Sequence, residues 1–360
     1  MNNYFCVLPF FSYELGTQAT SNIYCCRLAA NTDILSVRNS MMLGQRAAEC
    51  TACWSLEDAG LESERQIHNR TFDWLLDRDL ETIESQVKQG NFSTQIVKLA
   101  TSNLCNGQCI ICSSDASSSW AQLRPSKKTY QILPQHSYSN IDWSQVRQLT
   151  FLGGEPLLEK KNFQILETLI SLKNTSCLIS FITNGSVELS LHQKNILANF
   201  SNLNFCISID GIEKNFEYLR FPLRWDTLLA NIAFMKTIST NISVSATVTN
   251  LSIFDYANLI DFFLEQKLPY ICKPIENPAV FSPSNWPHDI RELILSRNQK
   301  YHDQVRHFLW SKNFSAALYQ DFLLEVDNQD FLKKIQIKDF MPEVAEILDN
   351  KNYRVQGKCP

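Results

Sequence analysis

From Gln95 onward the chain alternates short β-branched or apolar runs with amphipathic stretches whose apolar residues recur every three or four positions. Six of the short runs read as strands, at residues 95–100, 148–152, 177–183, 203–209, 242–249 and 270–273. Because the connections between them are mostly helical, we expect parallel strands joined by right-handed crossovers. The alternation predicts an α/β fold built on a curved or barrel-like parallel sheet.

The amphipathic stretches predict helices around residues 163–172, 191–200, 225–238 and 254–265. A further helical stretch is predicted over residues 72–88, ahead of the first strand of the alternation. Gly90 follows it and is the predicted helix stop. After about residue 289 the chain reads as helices rich in aromatic and charged residues.

Length and composition narrow the class of protein. The 360 residues, 44% of them hydrophobic, suffice for one sizeable domain and a smaller module with a packed core. A net charge of −4 gives no electrostatic reason to expect a nucleic-acid partner. Polar residues interrupt every apolar run before the roughly 18 to 20 residues that span a bilayer, and no secretion signal is recognisable. We therefore expect a soluble, cytoplasmic protein without a membrane partner.

Twelve cysteines are many for a cytoplasmic chain, and in a reducing compartment they indicate metal ligation or redox chemistry rather than disulfides. Seven lie in tight groups, which are Cys25 with Cys26, Cys50 with Cys53, and Cys105 with Cys109 and Cys112. Cys177, Cys206 and Cys272 instead lie alone in strand-like runs, where cysteine behaves as a small buried hydrophobe. The grouped cysteines are the candidate metal ligands.

Cys105, Cys109 and Cys112 form a Cys-x3-Cys-x2-Cys triplet directly after the first predicted strand. Three thiolates can hold a four-iron cluster and leave one iron without a protein ligand, open to a small molecule. Two other interpretations stay open. A zinc site normally needs four ligands, but no fourth ligand of obvious spacing follows Cys112. Three unligated thiols crowded into one loop would be prone to oxidation.

The segment from Ser102 to Ser113, with Ser117-Ser-Ser-Trp120 after it, resembles the cluster loop of the radical SAM superfamily. More narrowly, it is similar to members that carry a twitch or SPASM-type auxiliary cluster module. The resemblance implies that the triplet ligates a [4Fe–4S] cluster that binds and reductively cleaves S-adenosylmethionine (SAM). It also implies a partial (β/α)6 TIM-like barrel. The predicted domains are an auxiliary-cluster module at residues 1–69, a helical linker at 70–92, the radical SAM core at 93–289 and a helical C-terminal extension at 290–360.

Three further motifs stand at the ends of the second, third and fourth predicted strands, in the order expected of this superfamily: Gly153-Gly154-Glu155-Pro156, Thr183-Asn184-Gly185 and Ser208-Ile209-Asp210-Gly211. The first resembles the motif that holds the SAM amino group, where glycine suits the close approach of a ligand to the backbone. Polar residues at the carboxyl ends of strands lie where βα folds collect their ligands. The resemblance therefore makes Gly153, Gly154, Glu155, Pro156 and Asn184 cofactor-binding residues.

Ser208 and Arg220 match residues that, in related enzymes, contact SAM and bind its methionine carboxylate. Arginine suits the second role because its donors pair with a carboxylate. A plain surface cation is the alternative for Arg220. Asp210 is predicted either to bind the adenosine ribose or to cap the following turn.

The upstream cysteines Cys6, Cys25 or Cys26, Cys50 and Cys53 offer a second metal site. Spacing alone favours structural zinc as much as any other metal. Together with the stretch from Glu57 to Arg65, these residues resemble a twitch module that binds an auxiliary [4Fe–4S] cluster, with Cys25 preferred over Cys26. The module departs from many relatives because it precedes the barrel, and because residues 16–21 replace the usual Pro-Asp-Gly turn.

The resemblance implies a radical SAM iron–sulfur oxidoreductase that takes an electron from an external donor such as flavodoxin or ferredoxin and abstracts hydrogen from its substrate. A ribosomally made peptide is the leading substrate class, and a small metabolite or sugar is the alternative. A non-catalytic metal-binding scaffold is the competing interpretation. Cys272 and Cys359 could each be a hydrogen donor, an extra ligand or a cysteine without a functional role.

Overall fold

The computed structural model of the chain describes residues 4–16, 24–25, 27–29, 31–75, 79–124 and 138–349. Within them the strands are β1 Ser12–Gly16, β2 Ile96–Ala100, β3 Gln148–Leu152, β4 Leu178–Thr183, β5 Leu203–Ser208, β6 Asn241–Val248 and β7 Tyr270–Pro274. The helices are α1 Leu8–Phe11, α2 Ile34–Met42, α3 Thr51–Asp58, α4 Glu64–Leu75, α5 Leu80–Lys88, α6 Ser118–Leu123, α7 Lys160–Ser171, α8 Leu191–Leu197, α9 Glu213–Leu219, α10 Trp225–Ile238, α11 Tyr256–Glu265, α12 His288–Arg297, α13 His302–Leu309, α14 Ala316–Lys333 and α15 Pro342–Asp349.

The six predicted strands are confirmed as β2 to β7, each boundary to within one residue, and the chain has the expected α/β class. The strand β1 was not predicted. It is only five residues long. Because Tyr13 and Glu14 are polar and half-buried, the strand lacks the continuous apolar run that predicts a buried strand. It pairs in parallel with β2, from Ser12 opposite Ile96 to Gly16 opposite Ala100. The cysteine-containing segment at the start of the chain therefore contributes a strand to the sheet.

The described residues fall into two compact units. The first comprises Met1–Asn103, Gln131–Phe181 and Leu189–Leu203, and the second comprises Leu104–Tyr130, Ile182–Glu188 and Asn204–Pro360.

In the first unit, β1, β2, β3 and the start of β4 are paired in parallel. Leu149, Phe151, Ile179 and Phe181 are fully buried, and the Phe151 and Phe181 rings stack with their centroids 5.3 Å apart. The near-continuous apolar character of β3 and β4 is typical of parallel strands covered on both faces.

In the second unit, β5, β6 and β7 are paired in parallel. Ile207, Val244 and Val248 on the strands are buried, as are Leu259 and Phe263 on α11. The chain leaves β5 at Ser208 and reaches Asp210 two residues later, so the polar residues of this motif stand at the carboxyl end of the strand. The structure confirms this part of the sequence prediction.

The predicted helix over residues 72–88 is wrong as one element. The structure has two helices, α4 and α5, and Asp79 between them is extended, with its side chain accepting a hydrogen bond from the Thr82 backbone N–H as an N-cap. The apolar periodicity runs across both helices, but Asp79 caps a new helix, α5, at its N-terminus. Gly90 has a φ of +70° just after α5, which confirms it as the helix stop.

Among the described residues, no helix is long and apolar enough to cross a membrane.

Candidate functional site

The loop that carries the cysteine triplet lies between β2 and α6 and is fastened to the first turn of that helix. Ser117 is the N-cap of α6, and its hydroxyl also donates a hydrogen bond to the Gly107 carbonyl at 2.7 Å. The Cys105 backbone N–H donates to Ser118 Oγ at 3.1 Å. The serine cluster therefore fixes the loop by capping a helix and binding backbone groups that a loop leaves open.

The same loop pairs with the segment that contains Arg220. The backbone N–H groups of Gln108 and Ile110 donate to the carbonyls of Phe221 and Leu219, at 2.5 and 2.8 Å. These two bonds flank Cys109 on one segment and Arg220 on the other. Arg220 Nη1 consequently lies 3.8 Å from Cys109 Sγ.

The three thiols of the triplet share one environment. The Gly107 backbone N–H donates to Cys105 Sγ at 3.3 Å, and a Cβ placed on Gly107 would lie 3.4 Å from Cys109 Sγ and 3.7 Å from Cys105 Sγ. Burial, together with the neighbouring thiols Cys109 and Cys105, raises the pKa of Cys112 to about 12. Glycine at 107 thus leaves room between thiols that stand close together, and a bound cation would favour their thiolate forms.

Arg220 is held by a buried ion pair rather than standing free at the surface. Its Nη2 lies 2.7 Å from Asp210 Oδ2, and the side chains of the two residues are only 10% and 4% exposed. The other oxygen of Asp210 accepts a hydrogen bond from the Thr247 backbone N–H at 2.7 Å, which ties the pair to β6. Asp210 therefore fixes the guanidinium.

One nitrogen of the Arg220 guanidinium has no partner. Among the described residues, its buried Nε–H makes no hydrogen bond. A buried donor without a partner is costly in a folded protein. An anionic ligand such as a carboxylate would satisfy it.

Asn184 and Ser208 differ in their surroundings. Asn184 is buried in a network of side-chain hydrogen bonds. Its Nδ2 donates to Asn106 Oδ1 at 2.9 Å, and its Oδ1 accepts from the Ser186 hydroxyl at 2.6 Å. Asn106 belongs to the cysteine loop, so Asn184 positions that loop. Ser208 is half-buried at the end of β5, where it lies opposite Ser245 of β6.

The Gly153–Pro156 turn belongs to the first unit and follows β3. The Gly154 backbone N–H donates to the Ser102 carbonyl at 3.1 Å, and the buried Glu155 accepts from the Leu157 N–H at 3.1 Å. The Pro156 carbonyl accepts from Asn162 Nδ2 at 2.8 Å. The turn is therefore a fixed feature whose backbone is held from both sides.

Replacing Gly153 with alanine is expected to destabilise the protein strongly. Its φ of +115° is unfavourable for any residue with a Cβ, and the new Cβ would lie 2.6 Å from the Ser102 carbonyl oxygen. Backbone strain alone costs about 1 to 3 kcal/mol, and the overlap with a backbone atom adds to it. Urea unfolding measures the loss of unfolding free energy.

Gly60→Ala is the matched control, because Gly60 also has a positive φ, of +73°, but a Cβ placed on it would have no atom within 4 Å. Its unfolding free energy should fall only by the cost of a left-handed backbone at a residue with a Cβ, about 1 to 2 kcal/mol. Equal losses in the two variants would show that the contact with Ser102 does not constrain Gly153.

The upstream cysteines come together in the first unit. Cys6, Cys25, Cys50 and Cys53 line one cavity, and Arg65 lines it as well. Burial, with Cys50 and Cys53 nearby, raises the pKa of Cys6 to about 12, and burial beside Cys53 raises the pKa of Cys50 to about 11. Cys26 lies outside the described residues, as does Cys359. The residues that the sequence grouped as a second site thus share one cavity.

A buried network braces this cavity. Arg65 donates from Nε and Nη2 to the two carboxylate oxygens of Glu57, at 2.9 and 2.7 Å, and from Nη1 to the Phe5 carbonyl at 2.8 Å. The Ser63 hydroxyl donates to Glu57 Oε1. Arg65 thereby connects the residue before Cys6 to α3, the helix that carries Cys53.

Within the part of the chain that the structure describes, no group of three or more His, Cys, Asp or Glu side chains is arranged to hold a single metal ion. In an iron–sulfur cubane each thiolate binds a separate iron. Both sets of cysteines offer thiols of the kind that such a cluster uses, and Arg220 Nη1 lies next to one of them, Cys109.

Sequence reasoning missed the contribution of α14. Gln329 of this helix donates from Nε2 to the Ile110 carbonyl at 2.8 Å, inside the cysteine loop. The buried Lys333 ammonium lies 5.0 Å from the centroid of the Trp120 ring, and the Trp120 indole N–H donates to the Cys109 carbonyl at 2.9 Å. No sequence signal marks these residues, because they lie more than two hundred positions from the loop they contact.

No protein-family profile and no curated protein matches the chain. Several solved structures are similar to it. Native anSMEcpe with bound AdoMet is 18% identical with a TM-score of 0.40, over 65% of this chain and 66% of that one. Streptococcus suis SuiB bound to precursor peptide SuiA is 15% identical with a TM-score of 0.41, over 85% and 70%.

A further structure, SuiB bound to S-adenosylmethionine, is 17% identical with a TM-score of 0.36, over 63% of this chain and 49% of that one. The chain thus spans about two thirds of anSMEcpe and, in this last match, about half of SuiB. With TM-scores below 0.5 and identities below 20%, these likenesses describe what the chain is similar to and do not assign it to a family.

Proposed function

We propose that this chain is a radical SAM enzyme whose Cys105, Cys109 and Cys112 ligate a [4Fe–4S] cluster. One observation carries the proposal: the three thiols are gathered beside a buried arginine that has an unpartnered N–H donor. Three grouped thiolates leave one iron of a cubane open. The guanidinium beside Cys109 suits the carboxylate of SAM.

When bound, the cluster and SAM would supply one-electron cleavage of a sulfonium bond and so a 5′-deoxyadenosyl radical that abstracts hydrogen from a substrate. The protein's own residues would bind the cluster and SAM and orient them. Asp210 holds the guanidinium of Arg220, whose Nε–H is available to a carboxylate. Ser117, Ser118 and the carbonyls of Leu219 and Phe221 hold the backbone of the loop that carries the thiols.

We also propose that Gly153, Gly154, Glu155, Pro156, Asn184 and Ser208 bind SAM. Their roles follow from the motif resemblance. The polar residues among them stand next to strand ends, which is where βα folds bind their ligands. The proposed domains are the auxiliary-cluster module at residues 1–69, the helical linker at 70–92, the radical SAM core at 93–289 and the helical extension at 290–360.

We also propose an auxiliary [4Fe–4S] cluster on Cys6, Cys25, Cys50 and Cys53. Their shared cavity supports it, because four thiols brought together from separate segments of the chain match a ligand set of four cysteines. Cys25 stays preferred over Cys26 as the ligand. This cluster would accept an electron from the substrate radical or position the substrate.

Replacing Cys50 and Cys53 with alanine is expected to halve the iron content of the reconstituted protein, from about eight to about four atoms per chain. The triplet keeps its own cluster, so some SAM cleavage uncoupled from substrate modification should remain. Iron and sulfide assays measure the first effect. An unchanged iron content would contradict the auxiliary cluster.

The proposed substrate is a ribosomally made peptide, with a small metabolite or sugar derivative as the alternative. The proposed electron donor is a flavodoxin or ferredoxin, and the proposed location is the cytoplasm. A short precursor-peptide gene beside this one would favour peptide maturation, whereas sugar or antibiotic biosynthesis genes would favour the alternative.

The test of the proposed function is anaerobic reconstitution with iron and sulfide, followed by dithionite and SAM. Production of 5′-deoxyadenosine and methionine, measured by mass spectrometry, is expected. A well-formed cluster that yields no 5′-deoxyadenosine would overturn the enzyme proposal and favour a non-catalytic metal-binding scaffold.

A further inference from the structure

A row of polar side chains on α14 lies against the cysteine loop. Glu325, Gln329 and Lys333 are spaced four residues apart and so line one face of the helix. Glu325 pairs with Arg124 at 2.8 Å, Gln329 donates to the Ile110 carbonyl at 2.8 Å, and Lys333 Nζ donates to Gln329 Oε1 at 2.9 Å. The row connects the end of α14 to the segment between Cys109 and Cys112.

Lys333 is an unusual member of this row because it is buried. The residue is only 7% exposed, and Gln329 is 1% exposed. Its ammonium lies 5.0 Å from the ring centroid of Trp120 and 6.0 Å from that of Tyr218. Lysine is almost never buried without a compensating interaction, since its charge loses its hydration. Aromatic faces and one amide oxygen stabilise the ammonium only partly.

Two contacts place Lys333 against the segment that contains Cys109. The Trp120 ring that the ammonium faces donates its indole N–H to the Cys109 carbonyl at 2.9 Å. Gln329, which accepts a hydrogen bond from Lys333, donates to the carbonyl of Ile110, the residue after Cys109. Asp330 of the same helix accepts hydrogen bonds from the Tyr218 hydroxyl at 2.8 Å and the Ile337 N–H at 2.7 Å.

We propose that Lys333 is a positioning residue that supplies a buried positive charge beside the cysteine loop and thereby raises the reduction potential of the cluster. The inference rests on the cluster assignment proposed above. Reduction adds one electron to the cluster, and so one negative charge, with no bond formed or broken. A fixed cation in a site of low dielectric stabilises the reduced form more than the oxidised form.

The experiment is a potentiometric titration of the full, reconstituted chain, monitored by electron paramagnetic resonance with dithionite as the reductant. The signal followed is the one absent from the variant with alanine at Cys105, Cys109 and Cys112. In Lys333→Met the midpoint potential of this signal should shift to a more negative value, with iron content unchanged. Lys333→Arg should restore it towards the value of the unmodified protein.

Lys334→Met is the matched control, because Lys334 is the next residue, is exposed and carries the same charge. Water and salt screen an exposed charge, so this variant should keep the original potential. If Lys333→Met fails to fold, Lys333→Gln, which retains a hydrogen-bonding end, takes its place.

Two negative outcomes are distinguishable. An unmodified protein that shows no triplet-dependent signal would overturn the proposed function, and the inference with it. A normal signal whose potential is the same in the unmodified protein and in the Lys333 variant would overturn the inference alone.

Discussion

Replacing Cys105, Cys109 and Cys112 together with alanine is expected to abolish 5′-deoxyadenosine formation completely and to remove one cluster's share of the iron. The thiols are the only protein ligands that the proposal gives this cluster, and without them SAM has no reducible centre to bind. The loop itself should stay folded, because the variant keeps the backbone and serine hydrogen bonds that hold it. Mass spectrometry of the product and iron assays measure the two effects, and circular dichroism reports the fold.

Cys206→Ala is the control for this variant. Cys206 lies partly buried on β5 and belongs to neither group of cysteines, so its loss should leave both the iron content and the product unchanged. A triplet variant that still forms 5′-deoxyadenosine above the background of SAM and dithionite alone would refute the assignment.

Removing the charge of Asp210 is expected to cause the largest loss of stability of any single conservative change considered. Asp210→Asn keeps the size of the side chain but leaves the buried guanidinium of Arg220 without its counter-charge. Breaking a buried pair by removing one partner costs about 3 to 5 kcal/mol, since the other charge stays out of water. Urea unfolding of the protein without iron, under reducing conditions, measures the change in unfolding free energy.

Two comparisons test the explanation. Asp58→Asn breaks the pair between Arg46 and Asp58, whose shortest distance is also 2.7 Å but whose side chains are 44% and 58% exposed. Its effect should be a small fraction of that of Asp210→Asn, because water screens exposed pairs. The double variant Asp210→Asn with Arg220→Met should recover part of the lost stability, since it leaves no uncompensated buried charge. Equal losses in the two single variants would contradict the buried-pair account.

The pattern of apolar residues along the chain predicted the strands β2 to β7, because each of these strands has an apolar run of its own. The runs around Phe151 and Phe181 bury their side chains on both faces of the sheet, and such continuous apolar runs are visible without knowledge of any partner. The strand β1 was missed because its burial depends on pairing with β2, which lies some eighty residues away. Asp79 was missed as a helix start because its capping role competes with an unbroken apolar period.

For the candidate site, spacing identified the thiols, but not what surrounds them. Cys105, Cys109 and Cys112 are close in sequence, so their grouping is a local property that the sequence shows directly. That Arg220 is paired with Asp210 and lies next to Cys109 depends on hydrogen bonds between separate segments. The same is true of Cys6, which joins Cys50 and Cys53 only through folding.

The sequence by itself determined the α/β class of this protein, its parallel strands and the identity of the candidate ligands, because periodicity, strand propensity and cysteine spacing act over short stretches of chain. The tertiary structure alone decided the counter-charge of Arg220, the common cavity of the upstream cysteines and the place of Lys333 beside the cysteine loop. These arrangements depend on contacts between distant residues, whose charges become strongly coupled only once the fold has removed them from water.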